Sequence, residues 1–185
     1  MNMTIAPFPA RRHDALAYIQ PLAAHGVELR MATLDDVPFL RELYGQLRAD
    51  ELDQVAWPEP VRRAFLDSQF QLQHHHYVTH FATADFYVVI CDGVDIGRFY
   101  LLSQPPYFLL IDISLLSPWR HRGLGAALLT WAKQRALDSH AQGLDLHVDE
   151  RNIHAKRLYL RQGFQQTGVE GPYLCMRWEV PSDLS

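Results

Sequence analysis

Residues 109–127 read LLIDISLLSPWRHRGLGAA, and no other stretch of the 185-residue chain restricts the fold as much. An apolar run with the pattern of a strand (109–116) stops at Ser117-Pro118. It then crosses a short basic turn holding Arg120, His121, Arg122, Gly123 and Gly125 and opens a helical pattern. Glycine lets a backbone come close to a ligand, and the first amides of a new helix have no intrahelical acceptor. Arginines add charge to the helix's positive end, so the turn is suited to a phosphate.

Composition narrows the partners. At 48% hydrophobic residues the chain suits one globular domain with a real core, and a net charge of −4 gives no general electrostatic reason to bind nucleic acid. The partners expected are therefore a small molecule or a protein side chain. The two cysteines, Cys91 and Cys175, both fall in strand-like patterns, so neither a disulfide framework nor a CxxC metal site is implied. No apolar run approaches the ~20 residues of a membrane span, and Arg11-Arg12 lead into no signal-peptide core. A cytoplasmic protein without membrane contact is expected.

Residues 1–26 read as an extension, arm or cap with a short helical option at 13–19 between Pro9 and Pro21. A domain spanning 27–180 follows, with a tail at 181–185. Val27 begins a first strand, and Thr33 or Asp35 caps a helix with Val37, Leu40, Leu43, Tyr44 and Leu47 at helical spacing. A second helix runs from about Pro58 towards His76. The segment between them, 48–57, is polar with one large aromatic. Asp92-Gly93 sits between two apolar runs and predicts a hairpin, after which the strand ending at Leu116 completes an antiparallel meander. Past the basic turn come a helix, the alternating strand GLDLHV (143–148), a short helix closed by Gly163, and a last hairpin. The strand-helix-strand connection makes the fourth and fifth strands parallel.

His74, His75, His76 and His80 raise a metal reading, since His76 and His80 stand i, i+4. No neighbouring Cys or carboxylate completes a tetrahedral set there, and no metal is expected.

Two motifs carry a resemblance. Arg120-x-x-Gly123-x-Gly125 after a strand resembles the acyl-CoA pyrophosphate loop of the GCN5-related N-acetyltransferase (GNAT) family. Asn152-x-x-Ala155-x-x-Leu158-Tyr159-x-x-x-Gly163-Phe164 is similar to that family's second signature. Both occur in the family's order, over roughly 27–180. The fold class that the resemblance implies is α+β: a mostly antiparallel twisted sheet of six or seven strands, splayed between parallel strands 4 and 5 and flanked by about four helices.

The resemblance also implies roles. Arg120, His121, Arg122, Gly123, Leu124, Gly125 and Ala126 are expected to hold the pyrophosphate of acetyl-CoA. Backbone groups of Leu115 and Leu116 would bond its pantetheine arm as an added strand would. Asn152 would bond that arm or hold its own loop, Ala155 would pack nearby, and Tyr159 would aim its hydroxyl at the thioester sulfur. Glu51, Asp53 and Trp57 are expected substrate contacts, although the same segment reads equally as a solvated connection with Trp57 on the core. Asp112 is the leading base for the amine, directly or through water, ahead of Glu51 and His147. As an acid, Tyr159 would work uphill by about 2 kcal/mol, since a phenol titrates about 1.5 units above a thiol.

The implied activity is transfer of acetyl from acetyl-CoA to a primary amine of a small molecule, peptide or protein. The alternatives are a non-catalytic acyl-CoA-binding module and a transferase of longer acyl chains. Homodimerisation through the C-terminal strand (Tyr173, Trp178) or the N-terminal arm is open.

Overall fold

The structure is a computed structural model, and residues 5–10, 22, 25–53 and 56–181 are described. The helical option at 13–19 lies outside them. Among the described residues seven strands form one sheet in the order β1-β2-β3-β4-β5-β7-β6. These are β1 (Val27–Met31), β2 (Asp85–Cys91), β3 (Val94–Leu102), β4 (Tyr107–Leu115), β5 (Gly143–Asp149), β6 (Gln165–Glu170) and β7 (Tyr173–Glu179). Neighbours are antiparallel except β4 and β5, which are parallel. Among the described residues four helices of about three turns or more accompany them: α1 (Val37–Leu52), α2 (Glu59–His80), α3 (Leu124–Asp138) and α4 (Ile153–Arg161). The expected fold class is observed. Among the described residues no helix is long and apolar enough to cross a membrane.

Helices cover both faces of the sheet. Tyr87, Val89, Phe99 and Leu101 pack with Leu128 and Trp131 of α3, whereas Phe86, Val88 and Tyr100 face Val78 of α2. This explains why β2 reads as a nearly continuous apolar run, because a strand buried on both faces has no polar alternate. Leu40 and Tyr44 of α1 meet Phe70 of α2 in a third cluster, which Phe8 also joins. Lys133 of α3 donates to the carbonyl of Gln162 at the end of α4, over the rings of Phe164 and Trp178.

Local chemistry sets the joints. Asp92 and Gly93 have φ of 49° and 77°, the pair of left-handed residues that a two-residue hairpin with native twist demands. Before α1, Thr33 donates to Asp36 from its amide at 2.7 Å and its hydroxyl at 3.1 Å. Arg30 grips both Asp36 oxygens at 2.8 and 2.9 Å, so the chain turns from β1 into the helix on one carboxylate.

The joint that matters for function lies in β4. Tyr100 pairs with Asp112 but Leu101 pairs with Leu110, which leaves Ile111 as an extra residue. Such a bulge bends its strand. Pairing of β4 with β5 runs from Tyr107↔Gly143 to Leu110↔Leu146 and stops at that bend. At the far end of the bend β3 and β4 come very close, and a Cβ on Gly97 would strike the carbonyl oxygen of Ser114.

Candidate active site

Where β4 and β5 part, a cavity of about 930 Å³ opens. Residues 109–114 of β4 form one side of it. Tyr44, Leu47 and Arg48 of α1 with Gln73, His76 and Tyr77 of α2 supply a second wall, and β5 and the start of α4 supply the third, with His147, Asp149, Asn152, Ala155 and Tyr159. Five of the residues singled out in the sequence for the chemistry, Asp112, His147, Asn152, Ala155 and Tyr159, thus meet around one space.

Asp112 is held by three donors. Arg98 Nη2 and the Tyr77 hydroxyl donate to Oδ2 at 2.8 and 2.9 Å, and the Ser114 hydroxyl donates to Oδ1 at 2.7 Å. Arg98 is itself buried, at 3% exposure, and bonds the Gln73 side chain at 2.8 Å. It lies under the rings of Tyr77 and Tyr100, 5.9 and 5.4 Å from their centroids. Burial opposes the guanidinium charge, but Asp112 outweighs it and holds Arg98 charged. Burial and then the Asp112 charge push the Tyr77 phenol upward. A carboxylate offers about four lone-pair sites, so one on Oδ1 remains open to a further donor.

Tyr159 is buried, its ring 5.8 Å from that of Phe164. Burial first, and the Asp112 charge second, push its phenol upward. The hydroxyl is therefore a donor that stays protonated. Asn152 caps α4, with Oδ1 accepting from the Ala155 amide at 3.1 Å. One of its two expected tasks, holding its own loop, is thus visible.

The basic turn lies beside this cavity, at the surface. A single 3-10 turn (Ser117–Trp119) leads into it, His121 takes φ of 60°, and Gly123 takes φ of 81° as the N-cap of α3. The amides of Leu124, Gly125 and Ala126 open the helix with no backbone acceptor. Arg120 donates through Nε to the Leu115 carbonyl at 2.8 Å, while its buried Nη2 has no partner. Arg122 lies over Trp119, 5.1 Å from the ring. The His121 and His154 rings are 5.7 Å apart, and a Cβ on Gly125 would stand 3.1 Å from Leu158, so the starts of α3 and α4 lie side by side. A row of open amides, an unpartnered guanidinium nitrogen and an unpaired strand edge fit a phosphate-bearing cofactor with an extended amide arm.

Several expected contacts fall elsewhere. Leu116 has both backbone groups engaged, its N–H with Ile96 and its C=O with the Trp119 amide, at 2.8 and 2.9 Å. By strand alternation, Ile113 and Leu115 turn their amides toward the gap. Asp53 and Trp57 do not line the cavity: Asp53 pairs with Arg62 at 2.8 Å and Trp57 packs on Phe65 with centroids 5.0 Å apart. The reason is that α1 runs on to Leu52, so its own flank forms the wall. The side chain of Glu51 lies outside the described residues. His147 lines the cavity rim. Sequence reasoning missed Arg98, Tyr77, Gln73 and Arg48. An arginine amid the apolar residues of β3, in phase with Tyr100, was the available signal.

The four histidines do not converge. His74 is buried and bonds the Ala6 carbonyl at 2.7 Å, and His80 bonds the His76 carbonyl at 3.0 Å, with those two rings 4.2 Å apart.

Comparison with known proteins agrees with this geometry. The family model described as Acetyltransferase (GNAT) family matches residues 47–164. Aminoalkylphosphonate N-acetyltransferase of Salmonella typhimurium is 26% identical over 140 residues, covering 76% of this chain and 86% of that protein. Among solved structures, PaiA N-acetyltransferase from Thermoplasma acidophilum in complex with coenzyme A superposes with a TM-score of 0.65 at 16% identity, over 83% of this chain and 99% of that one. An aminoglycoside acetyltransferase in complex with coenzyme A and kanamycin gives 0.60 at 20% identity, over 83% and 94%. With the loop, the splayed strands and the Asn152–Tyr159 helix in place, the chain belongs to the acetyltransferase (GNAT) family and is an acetyl-CoA-dependent N-acetyltransferase.

Proposed function

We propose that the acceptor is a small primary amine carrying an acidic group, acetylated directly within the cavity between β4 and β5. The single observation carrying this reading is the charge along the cavity. Asp112, the acidic group that would greet a simple cation, is already neutralised by Arg98. Arg48 and Arg151 lie at the mouth beside Asp149, whose pKa is held at about 2 by Arg151 and, last in order, by the charge of Arg48. Among the described residues that line the cavity, the arginines Arg48, Arg98 and Arg151 outnumber the carboxylates Asp112 and Asp149. The name of the Salmonella relative, an enzyme of aminoalkylphosphonates, supports the same class.

Bound acetyl-CoA supplies the activated thioester, and the chain's residues do the rest. The amides of Leu124, Gly125 and Ala126 with Arg120 and Arg122 hold the pyrophosphate, and Ile113 and Leu115 bond the pantetheine arm. The amine proton leaves through a water seated on the open lone pair of Asp112. Tyr159 donates a hydrogen bond to the departing thiolate and keeps its own proton, because its phenol sits above the ordinary value. Replacing Tyr159 with Phe is expected to lower kcat by about 100-fold or more, as for loss of one aligned donor, with KM for acetyl-CoA little changed.

The test is release of CoA thiol with matched acceptors: aminoalkylphosphonates, amino acids of the same length, and plain alkylamines. A charge-assisted contact is worth about 1.5–3 kcal/mol, so acid-bearing amines are expected to lead by roughly 10- to 100-fold in kcat/KM, a lead that Arg48→Ala removes. Equal turnover of plain alkylamines would refute the acceptor class. We further propose cytoplasmic action, consistent with free thiols at Cys91 and Cys175, and place a homodimer contact at the exposed Tyr173 end of β7, to be checked by light scattering.

A further inference from the structure

β5, β7 and β6 carry a second group of chemistry-bearing side chains on the sheet face opposite Leu146 and Val148. His147 pairs directly across from Cys175, and Glu170 stands diagonal to it on β6. The donor atoms of His147, Glu170 and Cys175 all lie within 4.8 Å of one another, with His147 Nε2 at 3.9 Å from Glu170 Oε2. His147 also lines the rim of the cavity. None of the three has a place in the transfer step.

We propose that His147, Glu170 and Cys175 form a site for one borderline-soft divalent ion of the Zn²⁺ class, at the rim of the acceptor cavity, where the bound ion restrains turnover. Three features support it. Imidazole nitrogen, carboxylate oxygen and thiolate sulfur together select this class over Mg²⁺ or Ca²⁺. Three protein ligands leave the fourth tetrahedral position open to water or an acidic solute. The backbone is also already fixed, since Leu146, Val148, Leu174 and Met176 on the same strands are buried in the core beneath. Ligands around tetrahedral zinc stand ~3.6 Å apart, so the three side chains need close by only on the order of 1 Å. Binding replaces the Sγ–H bond with Sγ–metal, and the proton passes to solvent.

The site departs from the expectation drawn at the four histidines, where no neighbouring Cys or carboxylate was available. Its location also gives it a consequence. An ion beside His147 stands where an amine acceptor enters, and it would hold an acidic acceptor at the rim short of Asp112. The binding half of the proposal stands independently of the acceptor class, and only the turnover half rests on the function proposed above.

The experiment uses the full chain without a His tag, stripped of metal and kept reduced with a phosphine. Titration with ZnCl₂ by calorimetry is expected to give one ion per chain. Cys175→Ser and His147→Ala should each weaken it by more than about 100-fold, since outer-shell changes alone cost 10–100-fold. Co²⁺ in place of Zn²⁺ should produce a thiolate-to-metal charge-transfer band that Cys175→Ser removes and Cys91→Ser retains, Cys91 being buried in the core. Binding that survives Cys175→Ser, or that is lost instead in His76→Ala/His80→Ala, overturns the site. With binding established, added Zn²⁺ is expected to slow amine acetylation by the wild type and not by Cys175→Ser. Equal rates with and without the ion overturn the restraint on turnover.

Discussion

The two ends of the active cavity are built from different materials. The cofactor end is main chain: a left-handed Gly123, open amides at the start of α3, and a strand edge released by the bulge at Ile111. The acceptor end is side chain: a buried guanidinium, a carboxylate, a phenol and an amide brought together from β3, β4 and α2. The first tolerates a change of side chain but not of backbone angle. The second tolerates modest backbone motion but not the loss of one charge. A backbone site can recur unchanged with many acceptors, while the side-chain end is free to be rebuilt for each.

The largest effect should come from the acceptor end. Arg98→Met leaves Asp112, whose side chain is 11% exposed, without its counter-charge, and removing one partner of a largely covered pair costs about 3–5 kcal/mol. Urea unfolding is expected to show a loss of that size, and a loss below about 1 kcal/mol would mean that Asp112 is solvated after all. Next comes the cofactor end. Gly123→Ala meets no neighbour within 4 Å, so its cost of about 1–2 kcal/mol is purely the left-handed φ. That cost should appear as weaker acetyl-CoA binding in calorimetry more than as a lower unfolding midpoint.

A smaller, pH-dependent effect separates the wall from the sheet. Burial holds His74 below its ordinary value of 6.5 while Nε2 serves the Ala6 carbonyl. The unfolded chain therefore takes up a proton before the folded one does. Stability is complete above pH 6.5 and declines as pH falls from there toward the lower folded value. Urea midpoints at about pH 7.5 and about pH 5.5 should differ more in the wild type than in His74→Leu. The smallest effect belongs to the segment beyond α1. Asp53→Asn and Trp57→Leu should leave kcat and both KM values unchanged and shift stability by no more than about 0.5 kcal/mol, as exposed positions do.

How far the sequence reveals each end follows from the same difference. The basic turn, Gly123, Gly163 and the capping Asn152 act within a few residues of themselves, so spacing alone exposes them. The partners of Asp112 come from 35 residues upstream on α2 and 14 upstream on β3, and they meet it beside the bulge of β4 at Ile111. No local pattern announces that bulge. Asp53 and Trp57 fall outside the cavity lining for a related reason: polarity identifies a segment that faces water, not the side from which a helix faces a cavity. Of the two caps expected before α1, Thr33 is the one that acts: it is the N-cap of the short 3-10 turn (Leu34–Asp36) that runs into the helix, and Asp36 closes a capping box by accepting from its amide.

The position of β7 carries a consequence in time. This strand lies between β5 and β6 although it follows both in the chain, and it is β5's partner on the side away from β4. During synthesis β5 emerges with one edge bare, and it stays so until 173–179 leave the ribosome. The wall holding His147 and Asp149 is thus among the last parts of the molecule to set. The nascent chain carries an open strand edge through that interval, the kind of edge on which unfinished chains stick to one another.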